Sequence, residues 1–176
     1  MFKKFLVSSA ILVALSATAN AATLSWTAIL DQAQEVPTPV AVSGASGSGF
    51  GTIDTVSGLL SWTISWAGLS GLAGGAHFHA PAAPGSTAGV AVNVGNISGL
   101  TPPTTGSAIL APFQVTAFVD GLYYINVHTA LNPGGEIRGQ VGVAAVPLPA
   151  AAPLLLGGLA AFGALRTRQR GRRKAA

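Results

Sequence analysis

The chain of 176 residues carries nine Lys or Arg against five Asp or Glu, but eight of the bases sit at its two ends. Residues 22–145 hold one base, Arg138, beside all five acids (Asp31, Glu35, Asp54, Asp120 and Glu136), a body that would repel a phosphate backbone and so excludes nucleic acid as a partner. The absence of cysteine removes disulfides, thiolate metal ligands and thiol nucleophiles together.

The first element is an export signal. Lys3 and Lys4 precede an uncharged run from Phe5 to Ala17, and Ala19-Asn20-Ala21 places small residues where a signal peptidase reads. A signal helix is expected over 1–21, with cleavage after Ala21. The run falls short of the roughly 20 apolar residues a membrane span requires.

Between the ends, residues 22–145 are about enough for one hydrophobic core. Abundant glycine with scattered Ser and Thr suits short strands and tight turns. Strands are expected at 23–30, 47–53 and 60–66. In the third, Leu60, Trp62, Ile64 and Trp66 alternate with Ser61, Thr63 and Ser65, the period of a strand buried on one face. Pro37 and Pro39 keep 32–40 out of a sheet interior.

Further strands are expected at 76–80 and 90–94, followed by a long loop over 95–106. Residues 113–119 and 122–129 then read as a hairpin through Asp120-Gly121, and 136–143 as the last strand. No helical period stands out within the domain. The pattern predicts an all-β fold, an antiparallel β-sandwich of seven to nine strands or its barrel-like relative.

The other end holds Val146-Pro147-Leu148-Pro149-Ala150, an uncharged stretch from Ala151 to Leu165, and a basic cluster from Arg166 to Lys174. A hydrophobic helix over 150–165 would reach roughly 24 Å against a hydrocarbon core near 30 Å, a marginal span. Its basic tip would stay cytoplasmic, which puts the domain outside, where the signal also sends it. In order and content, residues 146–174 resemble the C-terminal sorting signals of Gram-negative bacteria, the PEP-CTERM class in its VPLPA variant. That resemblance implies handling by an exosortase-type membrane protease, which cuts near the proline motif and passes the protein to the outer surface. A simple uncut membrane anchor is the alternative.

All three histidines lie within the body. On a strand, His77 and His79 share a face and Phe78 points away, and the same parity groups Tyr124, Asn126 and His128 on one side of their strand. Three imidazoles from two strands, with Glu136 or Asp120 in addition, could hold Zn²⁺ or Cu²⁺ if the strands are neighbours. The alternative is that the rings bond backbone carbonyls. Glu136 and Arg138, two residues apart, are expected to pair, unless Arg138 clamps Glu35 or Asp31. No catalytic triad, phosphate loop or carboxylate pair is evident, so no catalytic residue is assigned.

Gln34-Glu35-Val36-Pro37, Gly75-Ala76-His77-Phe78-His79-Ala80-Pro81 and Tyr124-Ile125-Asn126-Val127-His128-Thr129, followed by Gly134-Gly135-Glu136-Ile137-Arg138-Gly139-Gln140, resemble the blocks of the CHRD domain, named after chordin. The resemblance spans residues 22–143. It implies an immunoglobulin-like β-sandwich, sometimes compared with Cu/Zn superoxide dismutases, and a role in extracellular binding. A dismutase resembles a site of four copper-binding histidines plus zinc; three histidines here speak against that activity.

The expectation is therefore an exported module, sorted to the cell envelope, with a non-enzymatic role in binding an extracellular ligand or matrix, or a structural one, and no required cofactor. The alternative is a Zn- or Cu-binding domain or redox enzyme using His77, His79 and His128. Processing at the predicted point is checked by N-terminal sequencing of the exported protein, which should begin at Ala22; retention of Lys3 and Lys4 would refute the export signal.

Overall fold

The computed structural model describes residues 23–144. The signal helix and its cleavage point at Ala21, and the sorting motif from Val146 to Ala150 with its hydrophobic helix and basic tip, lie outside the described residues. Among those described, no helix is long and apolar enough to cross a membrane.

Nine strands form one antiparallel sheet: β1 (Thr23–Asp31), β2 (Ser46–Asp54), β3 (Leu59–Ala67), β4 (Ala73–His79), β5 (Val90–Asn93), β6 (Thr104–Ile109), β7 (Tyr124–Thr129), β8 (Ile137–Gln140) and β9 (Gly142–Val143). The order is β5-β4-β7-β8-β1-β2-β3-β6, with β9 also on β1. The strands make a single, nearly closed sheet, nearer to the barrel-like form of the expected fold than to two separate layers. The reason is β1, whose nine residues pair along their full length with β2 and on the other side with β9 and, at Asp31↔Arg138, with β8. One long strand thereby joins what would otherwise be two sheets.

The inner face follows from alternation. Trp26, Ala28 and Leu30 of β1 meet Leu60, Trp62 and Ile64 of β3 and Phe78, Ile125, Val127 and Ile137 from the other half, all buried. Burying a side chain of the size of Ile64 or Leu60 contributes about 1.5–3 kcal/mol. The inward positions of β2 between these indoles are glycines: Gly51 pairs with both Trp26 and Trp62, and Gly49 with Ala28 and Ile64. Trp26 and Trp62 both pack edge-on against Phe78, with ring centroids 5.6 and 5.7 Å apart.

Two helices depart from the sequence reading. Residues 113–119 belong to α2 (Pro112–Val119), not to a strand. Pro112 supplies a φ suited to a first helical turn, and Gln114 Oε1 accepts the Ala111 N–H at 2.9 Å. Val115 and Phe118, three apart, turn inward. Asp120-Gly121 then closes that helix rather than a hairpin. Gly121, at φ +73°, donates to Phe118 O, and Leu122 N–H reaches back to Ala117 O, the Schellman pattern that favours glycine. The loop expected over 95–106 contains α1 (Val94–Ser98), capped by Asn93 Oδ1 at the Asn96 N–H, and the start of β6. Ser98 of α1 accepts from Trp62 Nε1 at 3.2 Å and from Thr104 Oγ1 at 2.7 Å, tying the helix to β3 and β6.

A Cβ at Gly106 would lie 2.7 Å from Trp62 Cζ2, a buried ring with no room to retreat. Gly106→Ala should therefore destabilise the domain by about 1–3 kcal/mol through overpacking. Chemical denaturation measures it, with Ser107→Ala on the opposite face as the neutral comparison; equal midpoints would show that the indole is not confined.

Candidate metal centre

The sheet brings the histidines together. β4 and β7 are neighbours, with His77 opposite Asn126, His79 opposite Tyr124 and His128 opposite Gly75. Period-2 alternation sends Phe78, Ile125 and Val127 to the core and the three imidazoles to the outer face. One ligand atom from each of His77, His79 and His128 lies within 4.8 Å of the others. A Cβ at Gly75 would come 3.0 Å from His77 Cε1 and 3.6 Å from His128 Cδ2, so the missing side chain leaves space beneath the rings.

Loops cover part of that outer face. Arg138 of β8 donates to the carbonyls of Ser86 (2.7 Å) and Ala83 (3.4 Å), and Gln140 Nε2 donates to Ala82 O and Gly121 O, both at 2.8 Å. These bonds draw the 80–89 loop across the sheet. On the other flank, Gln34 Oε1 accepts the Gln140 N–H at 3.1 Å and Asn126 Nδ2 donates to Glu35 Oε1 at 3.0 Å, so the segment after β1 lies over the same face.

The covering loops fix two tautomers. Nδ1 of His79 lies 2.9 Å from Ala88 O and Nδ1 of His128 lies 3.1 Å from Pro133 O. A carbonyl can only accept, so both Nδ1 atoms carry the proton and both Nε2 atoms keep a lone pair. Those two Nε2 atoms, and Nδ1 of His77, are buried without a hydrogen-bond partner. Tyr124 stacks on His79, with centroids 5.0 Å apart and planes 7° from parallel, and Arg138 Cζ sits 3.6 Å over the Tyr124 ring. The carbonyl contacts expected as the alternative to a metal are therefore present, but each occupies the ring nitrogen that a metal would leave free.

Burial holds all three imidazoles neutral. It lowers His77 to about 4, aided by the neighbouring His128 and His79. It lowers His79 and His128 as well, against the opposing bonds to Ala88 and Pro133. Three neutral rings, those of His79 and His128 backed by a carbonyl on Nδ1, are the donor set of a zinc or copper site rather than of a hard-cation site.

The carboxylates do not join it. Glu136 accepts from the Ser43, Ser70 and Thr129 hydroxyls at 2.7, 2.6 and 2.6 Å and from the Ser70 N–H at 2.7 Å. Asp120 stands at the C-cap of α2. The expected ion pair of Arg138 with Glu136, Asp31 or Glu35 is not formed either: the guanidinium bonds only neutral oxygens, since Glu136 is turned into the hydroxyl cage and Glu35 is held by Asn126. Glu35, to which sequence reasoning gave no role beyond that pairing, instead accepts from Asn126, the residue opposite His77. Burial raises its pKa, outweighing the Val36 N–H, the Asn126 amide and the charge of Arg138.

Residues 26–141 match the family model of the CHRD domain. No curated protein and no solved structure gives a significant match to the chain.

Burial alone would raise the Glu136 carboxyl, but the Ser43, Ser70 and Thr129 hydroxyls and the Ser70 N–H hold it down to about 2. A depressed folded pKa contributes stability above the unfolded value, near 4.5, that is lost as pH falls toward 2. Denaturant midpoints should decline through this window. In Glu136→Gln the decline should flatten, at a cost of about 1.5–3 kcal/mol at neutral pH from weakened charge-assisted bonds; an unchanged pH profile would show the caged carboxylate to be unimportant.

Proposed function

The chain belongs to the CHRD-domain family, and on that premise we propose that it is an exported, non-enzymatic binding module of the cell envelope whose histidine face holds one zinc or copper ion. CHRD domains are typically extracellular or secreted β-domains, in agreement with the export signal read at residues 1–21. The motif at Val146–Ala150, the apolar stretch and the basic tip support sorting through an exosortase-type system of a Gram-negative envelope, with the tail as a membrane anchor until it is cut.

The observation that carries the metal reading is the clustering of three histidines from adjacent strands, with one ligand atom of each within 4.8 Å of the others and one buried, unpartnered nitrogen on every ring. Unsatisfied buried polar atoms are uncommon because each forfeits hydration without return. A shared electrophile would satisfy three such atoms in one cluster, two of them on rings whose tautomers are fixed by carbonyls. Metal–nitrogen bonds near 2.0–2.1 Å place ligand nitrogens roughly 3.3 Å apart. Small ring movements close the cluster to that spacing, and His77, whose Nδ1 has no hydrogen bond to break, is the ring free to make them.

Metal analysis of the protein recovered from the envelope fraction tests both halves of the reading. One Zn or Cu per chain is expected, with His79→Ala and His128→Ala each lowering Cu²⁺ affinity at least 100-fold in titration while the fold persists. Protein recovered from the cytoplasm would refute export. Failure of the purified protein to take up either ion would refute the metal site.

A further inference from the structure

The loaded centre would carry charge that this domain does not neutralise. The three imidazoles are neutral donors, so a divalent ion bound by them keeps its full positive charge. The five acids of residues 22–145 can each be traced. Asp31 accepts from the Gln34 N–H and side-chain amide, both at 2.9 Å. Asp54 holds the turn after β2 through the Val56 and Ser57 N–H groups. Glu35 is tied to Asn126, Glu136 to its three hydroxyls, and Asp120 stands at the end of α2. None belongs to the cluster able to hold an ion, which among the described residues consists of histidines alone. The nearby cation, Arg138, lies over Tyr124 on the His79 side and adds to the positive field.

Three nitrogen ligands also leave one tetrahedral position open, as in sites that take an exogenous donor rather than in closed structural ones. His77 and His128 are partly exposed while His79 is buried, so a ligand from outside would approach along the His77 and His128 flank. Resting on the metal reading above, we propose that the open position takes a carboxylate from outside the chain, and that the ion is the bridge by which the module grips a carboxylate-bearing ligand. The borderline character of Zn²⁺ and Cu²⁺ accommodates a carboxylate oxygen beside imidazole. Without the ion, a body with one buried base and five acids repels such a ligand, so capture is conditional on metal. A free carboxylate and a polyuronate offer the same donor, and the experiment separates them.

Co²⁺-loaded protein is titrated with acetate, with polygalacturonate and with neutral dextran, following the visible d–d bands of the ion, and polygalacturonate binding is measured in parallel by calorimetry on the metal-free and loaded forms. The expected result is a band shift with acetate and with polygalacturonate but none with dextran, and polygalacturonate affinity at least 10-fold weaker after metal removal or in His128→Ala. A shift with acetate alone would overturn the polymer as ligand. Bands unmoved by either carboxylate on a protein that has taken up cobalt would overturn the open position while sparing the metal site. Equal polygalacturonate binding with and without metal would place the contact elsewhere and overturn the bridge. Absence of cobalt uptake would sink the metal reading and this one together.

Discussion

A guanidinium buried to 1 % exposure sets the arrangement of the outer face. Charge removed from water needs compensation by hydrogen bonds or partners. Arg138 finds it in the carbonyls of Ser86 and Ala83, the side-chain oxygen of Gln140 and the ring of Tyr124. Each of those contacts constrains something else. The carbonyls belong to the loop that delivers Ala88 O to His79, and Tyr124 is the ring on which His79 stacks. The orientation of an imidazole on β4 thus depends on a cation two strands away, through a loop that meets its polar needs only by crossing the sheet.

The sheet accordingly has two kinds of strand. β1 and β3 bury one face only, and their solvent side is Ser, Thr and an occasional exposed apolar residue. β7 is buried on both sides almost throughout, and β4 and β8 over much of their length, with hydrocarbon inward and a hydrogen-bonded polar layer outward. The CHRD sequence blocks fall in this second group and in the loops that cover it. Their polar residues are there to hold a lid on the histidines: Gln34 and Gln140 bond each other, and Glu35 and Asn126 do the same.

Alternation made the inner face legible. Leu60, Trp62, Ile64 and Trp66 could be placed on one buried face from period alone, and the grouping of His77 with His79 on one side came from the same rule. What could not be read was long-range. Whether strands divide into two layers or close into one depends on β1 pairing in both directions, which no local pattern encodes. Residues 113–119 fit a strand period as well as a helical one; the deciding features were Pro112 and the closing glycine, and Asp120-Gly121 is equally at home in a hairpin. Proximity in sequence also misled at Glu136 and Arg138. The first faces the hydroxyls of Ser43, Ser70 and Thr129, whereas the second lies directly opposite Asn126 on β7, under the loop.

The placement of α1 bears on how many copies of the module can stand close together. β5 and β6 are the two margins of the sheet, four and six residues long, and α1 leads directly out of one and is bonded to the start of the other. Open margins invite strand exchange between molecules, and short, obstructed ones resist it. Wherever copies of a β-domain meet at high concentration, such margins are where they would join. Here the backbone groups most apt to knit neighbours into fibrils are few and partly screened, so copies can crowd together without seizing into a solid.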